Sequence, residues 1–300
     1  MTIQLRRDWW LSDAPESALQ ARCGRFYRMG LRALRSPAMV FGLAIIALLV
    51  LAAIFAPWLA PADPNAQDIS QRLLPPGAAH WLGTDQLGRD LLSRVIYGAR
   101  PTLMIVSLVA LLAAPAGLQL GMCAGYFGGW IEAVLMRITD IFMAFPRLVL
   151  ALALVAVLGP GIVNAVIAIA ITAWPPYARV ARAESRTVKG SDFIQAARVQ
   201  GLPTGRILFG HLLPICLPST VIRVTLDMAG IILTAAGLGF LGLGAQPPMS
   251  EWGAMISTGR QYIFDQWWVA AVPGVAILLA SLAFNLVGDG LRDVLDPKNG

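Results

Sequence analysis

The chain has 300 residues, 57% of them hydrophobic and only 13% charged, with a mean hydropathy of +0.67. A soluble domain is roughly half apolar and about a quarter charged, so this charge content excludes an ordinary water-soluble fold of this length and reads as a membrane protein. Twenty-three Lys and Arg against 17 Asp and Glu leave +6. The basic residues cluster beside apolar runs, which fits a membrane face better than nucleic acid.

Residues 1–37 are polar and arginine-rich, and the apolar run that follows is longer than a signal-peptide core. They are expected as a retained cytoplasmic tail. Residues 38–62 carry no charge, enough at 1.5 Å per residue to cross the hydrocarbon core, and predict a first span over 38–60. An external loop follows at 61–100. A second span is expected over 102–124, ending in a turn at Gly125, Gly128 and Gly129. The uncharged stretch 148–178 is interrupted by Gly159-Pro160-Gly161, a turn signal. It divides into a third helix, 138–158, and a fourth, 162–177; one long tilted helix is the alternative and changes the parity. Spans five and six fall at 217–244 and 267–287, within a core of 101–290, before a short tail at 291–300.

Six spans put both termini on one side, and the charges agree. Residues 1–37 hold seven arginines against three acids, and the 178–215 connector six basic residues against two acids. The external segments are poorer in base: 61–100 balances four arginines with four aspartates. This is the positive-inside pattern.

The connector is long and ordered in character. Ser191 or Asp192 can start a helix, Phe193, Ala196, Ala197 and Gln200 mostly share one face, and Gly201 can end it. An amphipathic helix over 192–201 is suited to docking on a partner; the plainer reading lays it in the headgroup region.

Arg223 and Asp227 lie four apart in the fifth span, on one helix face. Two readings stand: the pair lines or gates a translocation path, or it is a structural ion pair. Asp227 would sit nearer the midplane. Arg147, following Pro146, is expected to snorkel rather than line a pore, and Pro175-Pro176 to bend the fourth helix. In the external loop, Asp85–Arg89 and Asp90–Arg94 are expected as helical i,i+4 pairs serving local folding more than contact with a partner, with His80 isolated. Gly288, Asp289, Arg292 and Asp293 are expected to close the sixth helix.

Several chemistries are excluded. Cys23, Cys123 and Cys216 are scattered and odd in number, and His80 and His211 lie far apart, so neither a disulfide framework nor a metal site is expected. No Gly-rich loop ends in Gly-Lys-Ser/Thr, and no paired acids or Ser/His/Asp set shares a depth. The chain reads as no enzyme and holds no cofactor; energy must come from partners. A secondary transporter driven by an ion gradient is the rival class, but no internal repeat supports it.

Three stretches carry a resemblance. Gln195-Ala196-Ala197, Gly201 and His211-Leu212-Leu213-Pro214 are similar to the coupling motif of the inner-membrane permeases of bacterial ABC importers, where glutamate usually stands at the Gln195 position. Gly83-Thr84-Asp85, Gly88-Arg89-Asp90 and Ser93-Arg94 resemble the external signature of the second permease in the dipeptide/oligopeptide/nickel branch. Gly239-Phe240-Leu241-Gly242-Leu243-Gly244 resembles that branch's fifth-helix exit, with Gly239 where many members have serine. The Trp267-Trp268 region and the 295–298 ending look most like the D-alanyl-D-alanine-type dipeptide subgroup. The resemblance implies an all-α, six-helix type I permease in the bacterial inner membrane. It implies a homologous permease, two ATPases that bind ATP and Mg, and a periplasmic binding protein as partners, with short peptides as cargo and nickel as the rival cargo. A coupling helix at 192–201 would dock on an ATPase.

Overall fold

The computed structural model describes residues 17–295. The tail residues 1–16 and 296–300 lie outside the described residues, and with them part of the expected tails. Every extended element among the described residues is helical; one isolated antiparallel bridge joins Thr84 to Asp90.

Helix α1 (Ala18–Arg35) meets α2 (Pro37–Leu59) at Ser36, which ends the first and caps the second, its hydroxyl accepting from Met39 N. Proline at the first helical position costs α2 nothing, since that N–H has no intrahelical partner. α2 lies along α12 (Trp268–Leu295), where Gly42 admits the Ala283 carbonyl and Gly290 admits Met39.

Helix α3 (Leu91–Phe127) is the axis of the molecule, 37 residues long and roughly 55 Å from end to end. It starts eleven residues earlier than the expected second span because Asp90 caps it, and it runs through Gly125 to a turn at Gly128 and Gly129, both at positive φ. Gly117, Gly121 and Gly125 recur at helical spacing and face α7 (Pro175–Lys189). A Cβ on Gly121 would strike the Ala178 carbonyl, and one on Gly125 would stand 2.6 Å from the Arg182 carbonyl. Small residues allow this backbone approach. Gly121→Leu should therefore push α3 off α7 and destabilise the fold by about 1–3 kcal/mol or more, read as a lower thermal midpoint of the detergent-purified protein.

The third expected span is not straight. α4 (Gly129–Met143) and α5 (Arg147–Leu158) meet at 88°, because Pro146 supplies no N–H and bars helical backbone at the residue before it. α5 returns through Gly159 (φ +90°) and Gly161 (φ +145°) into α6 (Ile162–Ala173). Each of these two helices has 12 residues, roughly 18 Å, half a bilayer. The expected fourth helix thus falls on α6 and the first turn of α7, divided at Pro175-Pro176.

Beyond α7 come α8 (Asp192–Val199), α9 (Thr204–Ile207), a π-helical turn (Leu208–Leu212) and α10 (Leu213–Phe240). The π turn is where Pro214, lacking an N–H, begins the next helix. α11 (Trp252–Gly259) and α12 complete the chain. Gly288, Asp289, Arg292 and Asp293 lie in the final two turns of α12, Arg292 in the last.

By length and composition four described helices can cross a membrane, α2, α3, the continuous 204–240 rod and α12, or five if the bent α4–α5 pair is one span. The main core gathers α3, α5, α6, α10, α11 and α12. A second, separate core of Leu118, Met122, Ala181, Ile194, Leu212 and Cys216 lies under α8. Because α3 begins at the 61–90 segment and ends beside α8, those two regions occupy opposite ends of the molecule.

Candidate functional site

At the α8 end, the chain builds a short helix on a private apolar seat. Ile194 is buried in the second core and Ala197 is buried on the same helix, while Phe193, Gln195, Ala196, Val199 and Gln200 are exposed. The expected face of Phe193, Ala196, Ala197 and Gln200 therefore divides: Ala197 points into the protein and the other three away from it. Ser191 occupies the cap position but its hydroxyl donates to the Val188 carbonyl instead of accepting from α8. Gly201 ends the helix at φ +75°, with Gly201 N donating to Arg198 O and Leu202 N to Ala197 O; this paired closure needs a left-handed residue, which glycine supplies without strain. Gln195 Nε2 donates to Lys189 O at 3.3 Å, and the Arg198 guanidinium lies 4.7 Å from the Tyr126 ring at the end of α3. His211 sits in the π turn, 3.4 Å from Arg206 O, with Leu213 half-buried and Pro214 exposed.

Toward the middle of the bundle the structure corrects the sequence reading of Arg223 and Asp227. Asp227 pairs with Arg147, through Oδ1 to Nη1 at 2.8 Å and Oδ2 to Nη2 at 3.1 Å, and its Oδ2 also accepts from Tyr177 Oη at 2.8 Å. Arg223 is exposed and makes no ion pair with Asp227. A guanidinium fork matches a carboxylate in the plane, and α5 presents such a fork from its first residue; a pair within one helix offers no equivalent. Arg147 thus does not simply snorkel. One acid ties α5, α7 and α10 together. The signal available in the sequence was charge balance: an acid and a base each stranded in an apolar run, 80 residues apart.

α7 carries this contact to the connector. Tyr177 is in its first turn, Arg179 pairs with Asp140 at 2.7 Å, Arg182 pairs with Glu132 of α4, and Ser185 Oγ donates to Met122 O. From Tyr177 to α8 the chain is therefore one braced rod.

At the opposite end the signature residues form a buried polar knot. Asp85 accepts from Leu87 N, Arg89 N and Arg89 Nε at 2.7–3.0 Å. This pair closes a tight turn, with Gly83 and Gly88 at positive φ, and not a helix. The expected Asp90–Arg94 pair does not form. Asp90 caps α3, taking Ser93 N and Oγ, while Arg94 donates to Pro64 O and lies 3.6 Å from Asp85. A capping carboxylate faces back over its own first turn, out of reach of a side chain leaving that turn. His80 is not isolated: it bridges Asp90 at 2.9 Å and Gln71 at 2.6 Å. Thr84 donates to Gln71 O and accepts from Leu74 N. Asp68 nearby is held below the usual carboxylate range by hydrogen bonds from the Ser70 hydroxyl and N–H. Glu251 is pushed up by burial, against the two hydrogen bonds it accepts from Gly253 N and Ala254 N at the start of α11. Gly239 leaves the space that this carboxylate fills, which accounts for a residue without a side chain there.

Comparison with known proteins gives a consistent result. Residues 117–300 match the family described as binding-protein-dependent transport system inner membrane component, and residues 26–76 match the N-terminal TM domain of oligopeptide transport permease C. The chain is 49% identical over 265 residues to the probable D,D-dipeptide transport system permease protein DdpC of Escherichia coli K12, covering 88% of this chain and 89% of that one. It is 48% identical to the di/tripeptide permease DppC of Pseudomonas aeruginosa, covering 86% and 87%, and 44% identical to the nickel permease NikC of E. coli K12, covering 85% and 92%. The fold is similar to the inward-facing MetNI methionine ABC transporter, with a TM-score of 0.56 at 21% identity over 69% of this chain and 98% of that one.

Proposed function

We propose a function from one premise: this chain belongs to the family of binding-protein-dependent transport system inner membrane components, the permeases of ABC importers. It is the permease subunit of an ATP-driven importer of dipeptides or short oligopeptides. The observation that carries the reading is the braced path from α8 to Asp227: an exposed helix face, seated on its own core, connects through α7 to an ion pair among the bundle helices.

Six spans are formed by α2, α3, bent α4–α5, α6–α7, α10 and α12, with both termini on the α8 side, the cytoplasm of a bacterium. A homologous permease completes the pathway. Two ATPases, which bind ATP and Mg, receive the α8 faces through Gln195, Ala196 and Gly201, with Ala197, His211, Leu213 and Pro214 supporting them from behind. A periplasmic binding protein delivers cargo at the other end, where Gly83, Thr84, Asp85, Gly88, Arg89, Asp90, Ser93 and Arg94 keep the entrance folded. Nucleotide-driven closure of the ATPases moves α8, and α7 passes the displacement to Tyr177 and Asp227. The bundle thereby alternates between two packings, one open to each side. Arg223, exposed one turn from Asp227, stands beside that path.

The test is ATP hydrolysis and vesicle uptake by the complete reconstituted complex with its binding protein. The cargo panel is L,L-dipeptides, D-Ala-D-Ala, longer peptides and chelated nickel. Stimulation and uptake are expected with one of the peptide classes; stimulation by nickel alone would replace the peptide reading, and silence to all four would remove it.

A further inference from the structure

Arg100 lies in α3 one turn before Met104, where the helix leaves the external knot. Its neighbour α2 contains Pro57, which cannot donate to the carbonyl four residues back, Ala53 O. Arg100 takes that carbonyl through Nε at 2.6 Å and the next, Ile54 O, through Nη2 at 3.3 Å, while its guanidinium lies 5.1 Å from the Tyr97 ring. The cation is thus fixed in place with two of its five donors committed.

Arg100 lines a cavity of about 710 Å³ together with the polar side chains of Asp63, Asn65 and Ser250. The Ser250 hydroxyl is buried and without a hydrogen-bond partner among the described residues. Met104, Ile162 and Met249 also line the cavity. Met104 and Ile162 are also the first residues of a second cleft of about 250 Å³ between α3 and α6, lined otherwise by Leu108, Leu111, Leu112, Val163, Val166 and Ile167. The two form one furrow, charged at one end and apolar over the rest. From Arg100 to Leu112 is twelve residues, roughly 18 Å along the helix, against about 15 Å for half of the hydrocarbon core.

We propose that this furrow is a specific site for one phospholipid of the leaflet on the Arg100 side, with its phosphate on Arg100 and an acyl chain in the α3–α6 cleft. The grading of the lining matches an amphiphile; a zwitterionic peptide would leave its polar groups without hydrogen bonds over most of the furrow. The site differs from the Arg147–Asp227 centre and from α8, and it rests on the reading of α2, α3 and α6 as membrane-embedded. The bound lipid wedges α3 against α6 and α2 at the outer end, beside the cargo entrance.

The experiment uses the whole complex in vesicles of phosphatidylethanolamine and phosphatidylglycerol containing a trace of either lipid with a photoreactive acyl chain. Adducts on peptides bearing Leu108, Leu111 and Val163 are compared with those at Val157, an 87%-exposed residue of α5 outside the furrow. Arg100→Gln should cut furrow adducts about tenfold, the worth of one charge-assisted hydrogen bond, and leave Val157 labelling unchanged; Arg100→Lys should restore part of it. Leu108→Trp, which fills the cleft and keeps Arg100, should cut them likewise. Furrow labelling that ignores all three substitutions would mean ordinary annular lipid and overturn the proposal. So would an unlabelled furrow whose Leu111→Cys variant crosslinks to the second permease. A complex that transports peptide yet gives either result refutes this site alone.

Discussion

Asp227→Asn is expected to destabilise the protein by about 3 kcal/mol and to abolish peptide uptake. The first effect is that of stranding one partner of a poorly solvated ion pair, which typically costs about 3–5 kcal/mol; the lower figure applies because the Arg147 side chain is 23% exposed. The amide can still accept from one guanidinium nitrogen or from Tyr177, not from all three donors. Tyr177→Phe removes only one donor to a carboxylate and should cost less, on the order of 1.5 kcal/mol. The informative variant is Arg147→Met with Asp227→Leu and Tyr177→Phe, which leaves no buried hydroxyl without an acceptor. Replacing both charges by apolar groups is often neutral or stabilising, so the thermal midpoint should return to that of the parent. Uptake should remain lost, because the joint between α5, α7 and α10 then no longer has a polar contact to make and break. Recovery of uptake along with stability would reduce the triad to packing. The measurements are the thermal midpoint in detergent and substrate-stimulated uptake in vesicles.

That triad marks the limit of what the sequence makes legible. Period and charge show an all-helical membrane chain, and Gly201 declares its left-handed turn by being glycine after an amphipathic run. Motif spacing brings the coupling segment and the external signature to notice. Partners across the fold are another matter. Asp227 has a basic residue four positions away, and helical spacing alone assigns it Arg223; only the 88° break at Pro146 swings Arg147 into position. The same holds outside, where i,i+4 arithmetic presumes a helix at Asp85–Arg89. The chain forms a tight turn there, because Gly83 and Gly88 adopt backbone that a helix cannot use. His80 finds Asp90 and Gln71 through a loop whose path is set by hydrogen bonds rather than by hydropathy. The two breaks at proline also explain why expected straight spans become pairs of shorter helices, for a sliding hydropathy sum registers apolarity and not direction.

The division of the α8 face yields the second large effect, because adjacent alanines should fail differently. Ala196 is exposed, so Ala196→Trp should leave the permease within about 0.5 kcal/mol of its parent, insert normally, and lose ATPase co-purification and substrate-stimulated hydrolysis. Ala197 is buried, on the inward side of α8 that also carries Ile194. Ala197→Trp should overpack that side, costing about 1–3 kcal/mol or more, and lose coupling through displacement of the helix itself. Gly201→Val forces a β-branched residue to φ +75°, a strain of about 1–2 kcal/mol, and should loosen the end of α8 without blocking its outer face; partial coupling is expected. Gln195→Glu keeps the length of the side chain and restores a charge to a surface position, so assembly should be retained. The permease's thermal midpoint measured beside ATPase co-purification separates these cases. Equal loss of stability in the two alanine variants would show that α8 turns both faces to the permease, leaving the coupling role to another surface.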